Sequence, residues 1–148
     1  MVRTGEQEFR RALREAHLGG ARVPDFFIVG HAKCGTTALH QMLQTHPQLY
    51  IPAIKETQFL SRSPQERAQY APRTARGPAR RPQTLDAYLS LFATVASAQR
   101  AGEASTEYLR TPGTAARIAE LCPQARIIAL FREPADFLRS LHLQLLEV

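Results

Sequence analysis

The chain of 148 residues has no tryptophan, two cysteines and, among its 19 basic residues, two lysines, Lys33 and Lys55. Cys34 and Cys122 make no disulfide framework and fall short of a zinc site, which takes about four ligands, so a reduced, metal-free protein is the simplest reading. No apolar run approaches the roughly 18 residues of a membrane-spanning helix. The N-terminus, MVRTGEQEFRRALREAH, is charged and lacks the apolar stretch of a signal peptide, which makes the cytoplasm the default compartment. No internal repeat is visible. Acidic residues number 13, leaving a net charge of +6. That excess suits an anionic partner, but nucleic acid, a membrane surface and a phosphate-rich small molecule all qualify. With 44% apolar and 22% charged residues, global disorder and collagen-like repeats are excluded, and the length fits one domain.

Strands and helices alternate in the pattern. Glu6 to His17 carries Phe9, Leu13 and Ala16 at helical spacing and closes on Gly19-Gly20, so residues 1–22 read as a helical leader with a packing role. Phe26 to Gly30 is continuously apolar, as in a strand buried on both faces of a parallel sheet. A polar loop, His31 to Gly35, leads into a helix from Thr36, with Leu39, Met42 and Leu43 on one face, ending near His46-Pro47. Ser61 to Pro82 reads as an irregular surface excursion whose arginines are solvated. Thr84 caps a helix with Leu85, Tyr88, Leu89 and Phe92 as core, and a short strand is expected around Gly102 to Ser105. Thr111-Pro112 is expected to open another helix bearing Ala115, Ile118, Ala119 and a buried Cys122. Arg126 to Phe131 is a strand, and Pro134 opens a last helix with a stripe of Phe137, Leu138, Leu141 and Leu145. Leu143 and Leu146 fall off that stripe, so the chain is expected to be cut short at its C-terminus or covered by a partner. The order predicts an α/β, P-loop-like layered fold with a mainly parallel sheet flanked by helices and ligands beyond the carboxyl ends of the strands.

Gly30-His31-Ala32-Lys33-Cys34-Gly35-Thr36-Thr37-Ala38 sits where such a fold binds anions. Free backbone N–H groups and the positive end of a helix dipole meet there. Gly35 allows close backbone approach, Thr36 and Thr37 add hydroxyl donors, and Lys33 adds a mobile positive charge. The loop is not of the G-x-x-x-x-G-K-[ST] type, because its lysine precedes the second glycine. A magnesium-dependent, P-loop kinase-like phosphotransferase is thereby the weaker alternative.

Lys33-Cys34-Gly35-Thr36-Thr37-Ala38-Leu39 after an apolar strand closely resembles the 5'-phosphosulfate loop of sulfotransferases that use 3'-phosphoadenosine 5'-phosphosulfate (PAPS). Arg126 to Ser140 resembles the 3'-phosphate-binding strand and helix of that family, with Arg132 and Ser140 at the spacing of its phosphate-binding arginine and serine. Arginine can grip a phosphate in bidentate fashion. Gly102-Glu103-Ala104-Ser105-Thr106-Glu107-Tyr108 is similar to the Gly-Glu-x-Ser-x-x-Tyr segment of bacterial and Golgi-type members, with Thr106 where proline is frequent. The resemblance covers the cofactor-binding, N-terminal part of the family domain, here residues 23–148.

The resemblance implies transfer of a sulfuryl group from PAPS to a hydroxyl or amine, without a metal. Lys33 would stabilise charge on the leaving phosphate, and the cofactor would lie against Lys33, Cys34, Gly35, Thr36, Thr37, Ala38, Arg132 and Ser140. Lys55-Glu56-Thr57-Gln58-Phe59 resembles the Lys-Glu-x-x-Phe segment of carbohydrate sulfotransferases, which makes Glu56 the general base and Lys55 a substrate or sulfate contact. His31, His40, His46 and His142 match no catalytic histidine of the cytosolic branch and read as core or surface residues. The implied partner is a small-molecule or carbohydrate acceptor, not nucleic acid. A nucleotide-binding fragment without turnover stays open beside the enzyme.

Overall fold

The computed structural model describes residues 5–69 and 81–146. Its centre is β1 (Phe26–Gly30), buried along its whole length. Alternation of side chains sends Phe27 and Val29 to one face of the sheet and Phe26 and Ile28 to the other, each into its own apolar cluster. A strand with two buried faces needs apolar residues at every position, which is why this run does not alternate with polar residues.

Four parallel strands stand in the order β2-β3-β1-β4, with β2 at Leu49–Tyr50, β3 at Arg100–Ala104 and β4 at Arg126–Leu130. Ile28 pairs with Ala104 on one side of β1, and Gly30 with Leu130 on the other. Helices cover both faces. On the Phe27 face lie α1 (Gly5–Leu18), α4 (Leu85–Leu89) with the 3-10 turn after it, α5 (Glu107–Arg110) and α6 (Thr114–Leu121). On the Phe26 face lies α2 (Thr36–Gln44), whose Leu39 and Leu43 pack against Phe26 and Ile28. The first layer is anchored by Tyr88, which stacks on Phe59 at 4.5 Å and meets Phe92 edge-on at 5.4 Å. Each such buried side chain contributes about 1.5–3 kcal/mol of apolar transfer. Gly102 admits the ring of Phe26, which a Cβ there would meet at 2.2 Å.

The leader helix is α1: Leu13 is buried and Phe9, Ala12 and Ala16 pack on the same core. Several expectations need correction. Met42 is 68% exposed, and the buried positions of α2 are Thr36 and His40. The stretch after Ser61 contains a helix, α3 (Pro64–Gln69), and Arg67 is not solvated. Its guanidinium donates to the carbonyls of Phe59, Arg62 and Gln83 and lies over the Phe59 ring at 4.2 Å, so burial lowers its pKa to about 10. Residues 70–80 of that stretch lie outside the described residues. Thr111-Pro112 opens no helix; Thr111 closes α5, and α6 starts at Thr114 after Gly113 in the left-handed conformation (φ 80). Ala115 and Ala119 are exposed, while Ile118 and Cys122 are buried, and burial pushes the Cys122 thiol up to about 12.

The last strand and helix, β4 and α7 (Pro134–Leu146), have little cover. Ile127 is 52% and Ile128 39% exposed, on opposite faces of β4, and α7 has no buried residue. Among the described residues no helix is long and apolar enough to cross a membrane.

Candidate functional site

Parallel strands deliver their carboxyl ends to one edge of a sheet, and here three of them lead to the candidate site residues. Gly30 ends β1 and begins the polar loop. A Cβ on Gly30 would lie 2.5 Å from the carbonyl oxygen of Leu130, so the absent side chain lets β1 and β4 run together to their last residues. The loop then turns through two left-handed residues, Lys33 (φ 62) and Gly35 (φ 87). For lysine that conformation costs on the order of 1 kcal/mol, and such strain clusters at functional sites. A side chain at Gly35 would meet nothing within 4 Å, so the cradle is open at that point.

Helix α2 springs directly from this loop with Gly35 as its N-cap and no side-chain cap. The amide of Leu39 bonds to the Gly35 carbonyl at 3.0 Å and starts the helical ladder. The N–H groups of Thr36, Thr37 and Ala38 are therefore left without intrahelical partners, at the positive end of the helix. Thr36 is buried, Thr37 and Ala38 are exposed, and Lys33 and Cys34 are half-buried. Among the described residues no group of three or more histidine, cysteine or acidic side chains is placed to hold a metal.

Arg132 stands two residues beyond β4, beside this loop. Its guanidinium donates to the Lys33 carbonyl at 3.1 Å. Glu133 does not pair with Arg132; its carboxylate caps α7 by accepting from the amides of Ala135 at 2.8 Å and Asp136 at 3.1 Å. A second link between loop and helix is the edge-on contact of His31 with Phe137, 4.6 Å between ring centres. Ser140 is half-buried on α7, and among the described residues no hydrogen bond ties it to Arg132.

On the other side of β1, the end of β3 meets the Lys55 to Gln58 turn. Glu56 donates its amide to the Ala104 carbonyl at 2.9 Å. Its carboxylate accepts from the Thr106 amide at 2.9 Å and from the Thr106 hydroxyl at 3.1 Å, and pairs with the Lys55 ammonium at 2.6 Å. Glu56 (φ 58) and Gln58 (φ 53) are both left-handed, strained for residues with a Cβ. His40 lies close by with its Nε2 3.1 Å from the Pro52 carbonyl, and burial holds it below the ordinary histidine value. It serves the core.

Beneath the turn is a carboxylate wholly inside the protein. Glu103 accepts from Tyr108 at 2.7 Å, from Ser105 at 2.9 Å, and from the hydroxyls of Thr57 and Tyr88. Burial raises its pKa despite these four donors, and burial raises Tyr88 and Tyr108 well above the usual phenol value. Buried polar groups of this kind survive only when satisfied. Thr106 and the Thr57 and Tyr88 partners of Glu103 were not readable from local sequence. The Gly-Glu-x-Ser-x-x-Tyr pattern marked Glu103, Ser105 and Tyr108, but Thr57 lies 46 positions from Glu103.

The order of strands thus sets the order of the site: Lys55, Glu56 and Thr106 beside β3, the Gly30 to Ala38 loop above β1, and Arg132 beyond β4. Comparisons with known proteins bear on the family. A profile described as the sulfotransferase family matches residues 24–147. The chain is 30% identical over 117 residues to the membrane-associated sulfotransferase kil1 of Dictyostelium discoideum, covering 77% of this chain and 21% of that protein. It is 33% identical over 119 residues to the human bifunctional heparan sulfate N-deacetylase/N-sulfotransferase 2, covering 78% of this chain and 12% of the relative. The crystal structure of a sulfotransferase from Alicyclobacillus acidocaldarius superposes with a TM-score of 0.66 at 38% identity, over 85% of this chain and 51% of that one. The chain therefore spans a minor part of the curated relatives and about half of the solved one.

Proposed function

The chain belongs to the sulfotransferase family, and from that premise we propose that it binds PAPS and carries out sulfuryl transfer to a hydroxyl or amine of a carbohydrate. PAPS, when bound, supplies an SO₃ unit on a phosphate leaving group. Lys33 and the free N–H groups of Thr36, Thr37 and Ala38 would hold the 5'-phosphate end, and Lys33 would stabilise the charge that grows on the leaving oxygen. Cys34 and Gly35 shape the loop. Arg132, with Ser140 on the helix behind it, would hold the 3'-phosphate. Glu56 would take the proton of the acceptor, at the β3 side of the loop and away from Arg132. The open space above Gly35 and the uncapped start of α2 fit an anionic group.

The observation that carries this reading is the hydrogen bond from Arg132 to the Lys33 carbonyl, 3.1 Å long and spanning 99 positions of sequence. It brings the two basic elements side by side, which supports one surface for a nucleotide with phosphates on both sides of its ribose. The carbohydrate acceptor is supported by the heparan sulfate relative and by a 45% identity over 40 residues to human carbohydrate sulfotransferase 15. The free thiols of Cys34 and Cys122 support, for the described residues, the reducing compartment expected from sequence. Residues 23–148 would form the nucleotide-binding part of the family domain, with 1–22 as leader.

The second reading is a nucleotide-binding module without turnover. The two are separated by following radiolabelled sulfate from PAPS onto hydroxyl- and amine-bearing oligosaccharides. Transfer that falls by about 100-fold or more in Glu56→Gln, with unchanged affinity for 3',5'-adenosine bisphosphate, supports the enzyme and its base. Tight binding of the bisphosphate with no transfer supports the module.

A further inference from the structure

We propose that Thr106 is the positioning residue of the Glu56 carboxylate, and that the buried Glu103 cluster is the mould that fixes the strained turn presenting it. The proposal rests on the reading of Glu56 as the base.

A base at the end of a flexible side chain has to be held in one orientation, and Glu56 sits on a turn whose backbone does not hold itself. Glu56 and Gln58 are both left-handed without being glycine, and β-turn geometry alone would not select that pair. What selects it is a set of hydrogen bonds to a single segment, Glu103 to Tyr108. The Glu56 amide bonds to Ala104, the Gln58 amide to the Ser105 hydroxyl at 3.3 Å, and the Leu60 amide to the Tyr108 hydroxyl at 3.2 Å. The Thr57 hydroxyl, between the two strained residues, donates to Glu103 and receives the Phe59 amide at 3.3 Å. Release of Glu103 would thus release the turn.

Thr106 acts on the carboxylate itself. Its backbone N–H reaches Oε2 at 2.9 Å, and its hydroxyl lies 3.1 Å from both carboxylate oxygens. Two donors from one residue fix the plane of the carboxylate. Lys55 also touches Oε1, but an ammonium on a four-carbon stem is a mobile point charge and sets no plane. Ser105, the preceding residue, donates its amide to Ile28 of β1 at 3.1 Å. The strand that launches the Lys33 loop therefore also locates Thr106, and base and loop share one frame.

The decisive experiment compares Thr106→Val, Thr106→Ser and Glu56→Gln, each alone, and Thr106→Val combined with Glu56→Gln. Thr106→Val keeps shape and backbone N–H but loses the hydroxyl. We expect kcat to fall on the order of tenfold, as for a lost hydrogen bond to a charged group, with the acceptor KM and bisphosphate affinity unchanged. Thr106→Ser should restore what Thr106→Val loses, and Thr106→Val should add nothing in the Glu56→Gln background. A valine loss that persists in that background, or a serine variant as slow as the valine one, overturns the positioning role. Full turnover by Glu56→Gln removes the base reading itself, whereas a slow Glu56→Gln beside a fast Thr106→Val overturns the positioning role alone. The amide resonance of Thr106 in ¹⁵N NMR spectra reads the contact without turnover: Glu56→Gln should shift it and speed its hydrogen exchange, and an unmoved resonance refutes the contact.

Discussion

Glu103 carries a cost that its position makes measurable. Burial holds its carboxyl above the ordinary value of 4.5, so the folded protein keeps this proton more tightly than the unfolded chain does. The stability it contributes is therefore complete below about pH 4.5 and is lost as pH rises through the raised value. Glu103→Gln has no such titration. Thermal melts from pH 4 to pH 8 should show wild type losing stability relative to Glu103→Gln as pH rises, and parallel profiles would contradict the assignment. At this scale the sequence was partly legible. Lys33, Arg132 and Glu56 are marked by local strings, and the structure sets the first two side by side. Arg67 carries no such mark and Thr106 is marked only as a departure from proline, because what distinguishes each is a partner elsewhere in the chain: the Gln83 carbonyl for one and a carboxylate 50 positions away for the other. A charge run looks solvated until the carbonyls that take its donors are known.

Elements were more legible than residues, for a physical reason. The run Phe26 to Gly30 and the stripe Leu85, Tyr88, Leu89 and Phe92 bury apolar area wherever they are placed, so pattern alone locates them. Thr111-Pro112 misled because the preceding residues, Glu107 to Arg110, form their own turn of helix, leaving Pro112 in the link and the left-handed Gly113 as cap. The two-residue β2 is too short to have a period. Gly30 tests how elements hold the site. In Gly30→Ala the new methyl would meet the backbone of β4, which cannot swing aside as a side chain can. The expected cost is about 1–3 kcal/mol of stability, as for other overpacked sites, together with weaker bisphosphate binding because Arg132 follows the strand that is pushed away. Denaturant unfolding and calorimetry read the two effects. An alanine variant that keeps both values would show that the closeness of β1 and β4 does not govern the site.

Across the whole molecule, cover is uneven. The middle strands β1 and β3 are buried apart from Arg100, while Phe131 just beyond β4 is 72% exposed and Leu138 and Leu145 of α7 are 62% and 66% exposed. Grooves flank β4, one of about 580 Å³ lined in part by Phe26, Leu43 and Ile128, the other of about 280 Å³ lined in part by Val29, Ile118 and Ile127. An apolar surface of this kind should bind a hydrophobic dye, and Leu138→Gln with Leu145→Gln should reduce that binding while changing stability by no more than about 0.5 kcal/mol per site. A large loss of stability would mean that α7 is packed in solution. The exposure of the off-stripe Leu143 and Leu146 agrees with the sequence pattern, whereas Leu138 and Leu145, expected on the packed stripe, are exposed as well because nothing among the described residues lies over that part of α7.

The claim on which the rest depends is that the Lys33 loop and Arg132 grip one bis-anionic nucleotide. Titration calorimetry of 3',5'-adenosine bisphosphate into wild type and Arg132→Ala, without metal ion, tests it most directly. Expected is binding by wild type and a loss of about 1.5–3 kcal/mol in Arg132→Ala, the worth of a charge-assisted phosphate contact. Equal affinities for the two proteins, or no binding by wild type, would contradict it.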